Sequence, residues 1–276
     1  MIDSPLGILV DQAFMGSSLL GRDAWRAAAE AGADWIALTE EAMEMTPEVL
    51  HTLRTDVEAA GVPVTMAQCH AFGLNDPREV AREWNIVRTE RHVDLARELG
   101  APVFKILLGE WIWRTMWPTA TQWQLLVDAV RRIGDYAAPR GVEVSVELEP
   151  LDTSLVNDIA SLTRLITEVD SEAVLANIDT SHMVVRGVPA AEVALLSGRV
   201  NSVDFSDSNG RYHEHLAPGD GVADLPAFVT QLRAARARSI AVEVGPFADP
   251  ENAFRKVERA IRGTRSLFAD AVVPRA

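Results

Sequence analysis

Short apolar runs recur along the whole chain, and a segment with helical periodicity separates each run from the next. Eight runs are rich in β-branched residues and leucine: LGILVDQ (6–12), GADWIALTE (32–40), VPVTMAQCH (62–70), PVFKILLGE (102–110), VEVSVELEP (142–150), VLANIDT (174–180), VNSVDFSD (200–207) and SIAVEVGP (239–246). Runs of this length and composition predict buried β-strands.

The segments between the runs place apolar residues three and four positions apart, as amphipathic helices do. Clear examples are DAWRAAAEAG, TPEVLHTLRTDVEAAG and DPREVAREWNIVRTERHVDLARELG. Thr46-Pro47 and Asp76-Pro77 predict helix N-caps followed by a first-turn proline. Eight strands alternating with helices predict an α/β fold, a single (β/α)8 TIM barrel in one domain over residues 1–276. An open doubly wound sheet is the main alternative, but DQAFMGSSLLGRD matches its Gly-rich phosphate loop poorly.

Charge and composition narrow the range of partners. The formal net charge is -14 and the sequence pI is near 4.9, so we expect no binding to nucleic acid or to anionic membranes. The single cysteine, Cys69, cannot form an internal disulfide. The N-terminus lacks the layout of a secretion signal, and no apolar run is long enough to cross a bilayer. We therefore expect a cytoplasmic protein.

Strand parity places ionisable residues inside the barrel, because alternate residues of a strand point to opposite faces. In the last four runs the apolar residues share the outward face, and four acids have inward positions near the strand ends: Glu149, Asp179, Asp204 and Glu243. The same reasoning places four more residues inward in the earlier runs: Asp11, Glu40, His70 and Lys105. Active sites of TIM barrels form at the C-terminal ends of the strands.

Four acids at one barrel end would repel each other unless they hold protons, pair with Lys105 or arginines, or surround a cation. Their oxygen donors suit a hard divalent ion, so we predict one metal ion, Mn²⁺ or Mg²⁺ with Co²⁺ as a further candidate, bound by Glu149, Asp179, Asp204 and Glu243. His182 follows Asp179 in NIDTSHM and is predicted to contact the substrate or a metal-bound water. The alternative is a loop histidine bonded to the backbone.

These motifs resemble those of a known family. VELEPLDTS, NIDTSHM, VDFSDSNGRYHEHLAPGDGVAD and AVEVGP are similar to the last four strand ends of the xylose-isomerase-like TIM barrels, in the sugar isomerase and epimerase branch. The resemblance implies that Glu149, Asp179 and Glu243 bind metal and that His182 contacts substrate. The family's seventh strand commonly reads H-L-x-D, whereas this chain has Asp204 in place of the histidine. Asp204 could still bind a hard cation, or His213 or His215 could replace it.

The resemblance implies a divalent-metal-dependent isomerase or epimerase of a sugar or ketose-like polyol. In such an enzyme the metal stabilises an enediolate while Glu149 and Glu243 remove and return a proton. The same site could instead serve a lyase of the inosose, 3-dehydroshikimate or C-glycoside type, in which His182 or His70 protonates the leaving oxygen. A catalytically silent sugar-binding barrel also stays open, although two opposed glutamates argue against it. Apurinic endonucleases of the same superfamily are disfavoured by the net charge and the scattered histidines.

Several further residues are predicted to contact a carbohydrate or cyclitol substrate: His70, Lys105, Glu110, Trp113 and Arg211. Trp113 belongs to a group of four tryptophans within 13 residues, Trp111 to Trp123. Such a group is typical of a lid over a sugar or of a subunit contact in a homo-oligomer. Glu110 is alternatively an ordinary acid at the start of a helix, and an interior Lys105 implies an ion pair in either role.

Overall fold

Eight parallel strands close into a barrel in chain order, with the last strand paired to the first. The computed structural model describes residues 5–109 and 116–270. The strands are β1 (Leu6–Leu9), β2 (Trp35–Leu38), β3 (Val64–Phe72), β4 (Val103–Gly109), β5 (Glu143–Glu147), β6 (Val174–Asp179), β7 (Val200–Phe205) and β8 (Ser239–Val242). The predicted (β/α)8 TIM barrel is confirmed.

Helices surround the barrel and bury their apolar faces against the outward side chains of the strands. They are α1 (Val10–Ala13), α2 (Arg22–Glu30), α3 (Pro47–Ala60), α4 (Glu79–Glu98), α5 (Thr119–Ala137), α6 (Ile159–Val169), α7 (Thr180–Val185), α8 (Leu225–Ala234) and α9 (Ala253–Asp270). The α3 start is as predicted, since Thr46 accepts a hydrogen bond from the Val49 N–H and Pro47 lies in the first turn. Within the described ranges, no helix combines the length and apolar character needed to span a membrane.

The barrel interior changes from apolar to charged along the strands. One buried layer is apolar and contains Leu9, Trp35, Ala37, Met66, Val103 and Ala241. A polar layer holds the Ser145 and Ser202 hydroxyls, 2.6 Å apart, and the Asn177 amide, which donates to Ser202 at 2.8 Å. Glu147 and Asp204 lie one inward position nearer the strand ends. The charged inward side chains therefore lie near the C-terminal ends of the strands.

Three local predictions near element ends are wrong. β1 stops at Leu9, so Asp11 lies in α1 and its carboxylate accepts the Thr39 N–H at 2.8 Å. Glu40 follows β2 on the side that Ile36 occupies, which faces the outer core. Asp76 does not cap α4. Its carboxylate accepts the backbone N–H of Arg78 at 2.8 Å, and Arg78 is itself the residue before the helix.

We expect Gly7→Ala to destabilise the barrel. A Cβ at Gly7 would lie 2.2 Å from the Trp35 ring, which is held by a 3.2 Å hydrogen bond from its Nε1 to the Pro5 carbonyl. Overpacking of this kind costs about 1–3 kcal/mol, and urea unfolding measures it. Gly263 in α9 is the matched control, because a Cβ there meets nothing within 4 Å. Gly263→Ala should stabilise the chain by about 0.5–1 kcal/mol. A Gly7→Ala variant as stable as the wild type would contradict this packing.

Candidate active site

Asp179 lies at the end of β6 and caps the short helix α7. Its Oδ1 accepts hydrogen bonds from the Ser181 N–H at 2.6 Å, the Ser181 hydroxyl at 2.8 Å and the His182 N–H at 3.2 Å. Oδ2 is buried and receives no aligned hydrogen bond from any residue of the described ranges. It instead faces two imidazole nitrogens, Nε2 of His215 at 3.2 Å and Nε2 of His182 at 3.3 Å. The cap therefore fixes the carboxylate and leaves one oxygen for the site.

His182 is buried next to Asp179, in a defined tautomer. Its Nδ1 is 2.8 Å from the carbonyl oxygen of Leu148. A carbonyl can only accept, so Nδ1 carries the proton and Nε2 of the neutral ring keeps its lone pair. Burial lowers the pKa of His182 although Asp179 opposes the shift, which favours this neutral form. The Nε2 atom also lies 2.8 Å from Nε2 of His213.

The loop after β7 brings two more histidines to the site. Asp207 shapes this loop, because its carboxylate accepts the N–H groups of Gly219 at 3.1 Å and Gly221 at 3.0 Å. His215 Nε2 lies 3.2 Å from Asp179 Oδ2 and 3.5 Å from Glu243 Oε1. His213 is more exposed and contacts the His182 ring edge-on, with centroids 4.6 Å apart. The loop thus brings to the site His213 and His215, the two residues predicted as alternatives to Asp204 as a metal ligand.

The carboxylates and neighbouring rings shift the pKa values of these two histidines in opposite directions. Burial alone would lower the pKa of His215, but Glu243 and Asp179 raise it to about 10. Desolvation of the ring and repulsion from His182 and His215 lower the pKa of His213 to about 4. Asp179 is likewise buried, yet His182 and His215 hold its pKa well below the usual value. Asp179 is therefore ionised at neutral pH.

Lys105, Glu147 and Asp204 form a buried charged group, here called the Lys105 triad. Lys105 is completely buried, and its Nζ lies 3.0 Å from Glu147 Oε2 and 2.5 Å from Asp204 Oδ2. Burial raises the pKa of Glu147, and raises that of Asp204 to about 6, although Lys105 opposes both shifts. Burial would lower the pKa of Lys105, but Asp204, Glu147 and Glu243 hold it well above its usual value. One ammonium group therefore interacts favourably with several buried carboxylates.

Glu243 and Glu149 occupy different environments. Glu243 is buried just after β8, and its Oε2 has no hydrogen-bond partner in the described part of the chain. Burial raises the pKa of Glu243 well above its usual value. Glu149 follows β5, is 9% exposed, and donates its N–H to the Val156 carbonyl at 3.0 Å. Glu147, two residues earlier on the same strand face, enters the central cluster and was not singled out from the sequence.

Four overlapping groups of described residues bring their donor atoms within 4.8 Å of one another: His182 with His213 and His215; Glu147 with Asp179 and His182; Asp179 with His215 and Glu243; and Glu147 with Asp204 and Glu243. Glu149 enters none of these groups. Four buried carboxylate oxygens of these groups accept no aligned hydrogen bond from the described residues: Glu147 Oε2, Asp179 Oδ2, Asp204 Oδ1 and Glu243 Oε2. Carboxylate and imidazole donors so arranged fit a divalent cation.

The residues predicted to contact substrate are spread more widely. His70 is exposed at the end of β3 and stacks on Phe72 with ring centroids 5.3 Å apart. Arg211 is exposed in the loop after β7. Lys105 points into the barrel and forms the ion pairs of the triad. Glu110 and Trp113 lie outside the described residues.

Comparisons with known proteins found related sequences and structures. A family model described as xylose isomerase-like TIM barrel matches residues 25–267. A 3-dehydroshikimate dehydratase of Pseudomonas putida is 25% identical over 194 residues, which is 67% of this chain but only 29% of that protein. A crystal structure of D-psicose 3-epimerase in the presence of D-fructose superposes with a TM-score of 0.82, at 17% identity over 96% of this chain and 99% of that one.

A structure of IolI protein with a binding zinc atom superposes with a TM-score of 0.77, at 17% identity over 97% of this chain and 98% of that one. At such identities the two structural matches support the fold.

We expect Lys105→Met to destabilise the protein by about 3–5 kcal/mol near pH 8, because it leaves Glu147 and Asp204 buried without their cation. The carboxylates of the variant then bind protons more tightly when folded than when unfolded. Stability relative to wild type should therefore increase as the pH falls from 8 towards 5. Urea unfolding of both proteins across this pH range measures the difference.

The double variant Lys105→Met/Asp204→Asn is the matched control, since it removes one unpaired charge together with the lysine. It should recover part of the lost stability at pH 8 and show a weaker dependence on pH. A Lys105→Met deficit that stays constant from pH 8 to pH 5 would show that the triad is not held by charge.

Proposed function

Since the chain belongs to the xylose isomerase-like TIM barrel family, we propose that it is a divalent-metal-dependent isomerase or epimerase of a sugar or ketose-like polyol. One observation carries the proposal. Asp179 and Glu243, two buried carboxylates each with an oxygen lacking an aligned hydrogen bond from the described residues, flank His215 at the C-terminal end of the barrel. This is the end at which TIM barrels carry out chemistry.

We propose Asp179 as a carboxylate ligand of the metal. The sequence predicted Glu149, Asp204 and Glu243 beside it, but Asp204 pairs with Lys105 and Glu149 joins none of the donor groups, so other donors complete the set. A bound divalent ion would supply Lewis-acid polarisation of a substrate carbonyl. Below the mouth, the Lys105 ammonium offsets part of the negative charge of Glu147 and Asp204 and lies within the electrostatic reach of Glu243.

Proton transfer is assigned to Glu149 and Glu243. Glu149 follows β5 and Glu243 follows β8, three strands further around the barrel, so the two carboxyl groups approach a substrate in the mouth from different sides. The raised pKa of Glu243 suits a group that takes up a proton and returns it. One glutamate removes the proton next to the carbonyl and the other delivers a proton to the intermediate.

A dehydratase is the second candidate. His182, buried beside Asp179 with an unprotonated Nε2, would take up the proton removed next to the carbonyl and return it to a leaving hydroxyl oxygen. The match to a 3-dehydroshikimate dehydratase supports the same reading. The two reactions share their first step, removal of a proton next to a carbonyl, and differ in whether the intermediate is reprotonated or loses a hydroxyl group.

We expect Glu243→Gln and Glu149→Gln each to slow proton exchange by at least about 10²-fold. The assay incubates metal-loaded protein with ketohexoses, ketopentoses and keto-cyclitols in D₂O and follows deuterium incorporation by NMR. Loss of water from the substrate in the same spectra would identify the dehydratase. Glu143→Gln is the matched control, because Glu143 begins β5 and pairs with Arg238 at 2.7 Å, away from the mouth.

The control should exchange deuterium at the wild-type rate. Deuterium uptake that is equal in wild type and Glu149→Gln would remove Glu149 from the mechanism. Absence of exchange and of dehydration by the wild-type protein with every substrate class would contradict the proposed function.

A further inference from the structure

His182, His213 and His215, here called the histidine cluster, direct their Nε2 atoms at one another. The His182 Nε2 atom lies 2.8 Å from that of His213 and 3.4 Å from that of His215. The buried Asp179 Oδ2 lies 3.3 Å from His182 Nε2 and 3.2 Å from His215 Nε2. Four donor atoms from β6, α7 and the loop after β7 therefore meet in one small volume.

The spacing of three of these atoms matches a metal site. Zinc binds histidine nitrogen and carboxylate oxygen at about 2.0–2.2 Å with tetrahedral geometry, so neighbouring ligand atoms stand about 3.3–3.5 Å apart. His182 Nε2, His215 Nε2 and Asp179 Oδ2 form a triangle with sides of 3.4, 3.2 and 3.3 Å. This triangle has the dimensions of one face of such a tetrahedron. His213 lies on the more exposed side, and its Nε2 atom, now 2.8 Å from that of His182, would move outward by about 0.5 Å to take the fourth corner.

The ring orientations support the same reading. The Nδ1–H of His182 donates to the Leu148 carbonyl, which is the outer hydrogen bond that metal-binding histidines commonly make. That bond leaves the Nε2 lone pair directed at the cluster. The Gln12 side-chain Nε2 lies 2.8 Å from His215 Nδ1 and donates to the Gly245 carbonyl at 3.1 Å, so the contact with Gln12 holds the second ring in place. Two imidazoles are thus oriented by partners outside the cluster.

The Lys105 triad changes which donors are available. Asp204 occupies the position where the sequence predicted a metal ligand, but its Oδ2 is taken by Lys105 at 2.5 Å. The hard oxygen donors below the mouth are therefore partly neutralised by an ammonium group, while nitrogen donors gather above them. Imidazole-rich sites favour Zn²⁺ and similar borderline ions over Mg²⁺ and Mn²⁺.

We propose that His182, His215 and Asp179, with His213 as the fourth ligand, bind a zinc-class divalent ion. This inference depends on the metal in the proposed function, and on neither the substrate nor the reaction. It replaces the oxygen-only ligand set expected from the sequence with a nitrogen-rich one, and it gives the loop histidines a direct role in holding the metal.

The test uses untagged, full-length protein stripped of metal with a chelator. Zn²⁺ binding is measured by competition with a chromophoric chelator, and Co²⁺ titration reports ligand geometry through its visible absorption. We expect one Zn²⁺ per chain, strong tetrahedral Co²⁺ bands, and weaker binding of Mn²⁺ and Mg²⁺. His182→Ala and His215→Ala should each lower Zn²⁺ affinity by at least about 100-fold, and His213→Ala by about 10-fold. His51→Ala, in an exposed position of α3, should bind as wild type does.

Circular dichroism of the metal-free variants checks that each one folds, and His213→Ala at its exposed position keeps the test usable if His182→Ala does not. Zn²⁺ affinity unchanged in the folded His213→Ala and His215→Ala variants would overturn the inference, as would preferential binding of Mn²⁺ or Mg²⁺. Histidine-dependent Zn²⁺ binding without deuterium exchange would leave this inference standing and defeat the proposed reaction. Deuterium exchange that requires metal but is unchanged in the histidine variants would support the proposed reaction and overturn this inference.

Discussion

The structure of the site depends on neutralising buried charge. Parallel strands deliver their last inward side chains to one end of the barrel, and several of those side chains are acids. Water cannot solvate them there, so each needs a positive or hydrogen-bonding partner within the protein. Lys105 forms ion pairs with Glu147 and Asp204. Backbone N–H groups at the start of α7 donate hydrogen bonds to one oxygen of Asp179. The carboxylates of Asp179 and Glu243 that these partners leave over face His215, and we propose this group as the functional part of the site.

The presence of Asp204 accounts for the buried lysine at position 105, and the lysine in turn makes a buried aspartate tolerable. A histidine at position 204, as the resembling family commonly has, would offer Lys105 no negative charge, and a lysine beside a histidine ligand would oppose a metal. With an aspartate there, the lysine can be buried and paired. The donors that remain for a cation then lie higher in the mouth, where the loop after β7 inserts His215 between Asp179 and Glu243. The departure from the family pattern at Asp204, its pairing with Lys105 and the position of His215 are thus parts of one arrangement.

The repeat of strand-like and helical segments was enough to predict the barrel, and side-chain parity was enough to predict the inward positions of Asp179, Asp204, Glu243 and Lys105. It could not decide between Glu147 and Glu149, because both have the same parity and only the height along β5 separates them. It failed for Asp11, where β1 ends early and the chain turns into α1. His213 and His215 follow no period, since a loop held by Asp207 sets their positions through backbone hydrogen bonds. The sequence named them only as alternatives.

Anomalous diffraction from crystals of the zinc-loaded protein, recorded on both sides of the zinc absorption edge, tests the central claim most directly. We predict one strong peak bonded to Asp179 Oδ2 and to Nε2 of His182 and His215, with Lys105 still paired to Asp204. A peak bonded to Glu149 and Asp204, with the lysine displaced, would contradict this assignment, and so would the absence of a peak near these side chains.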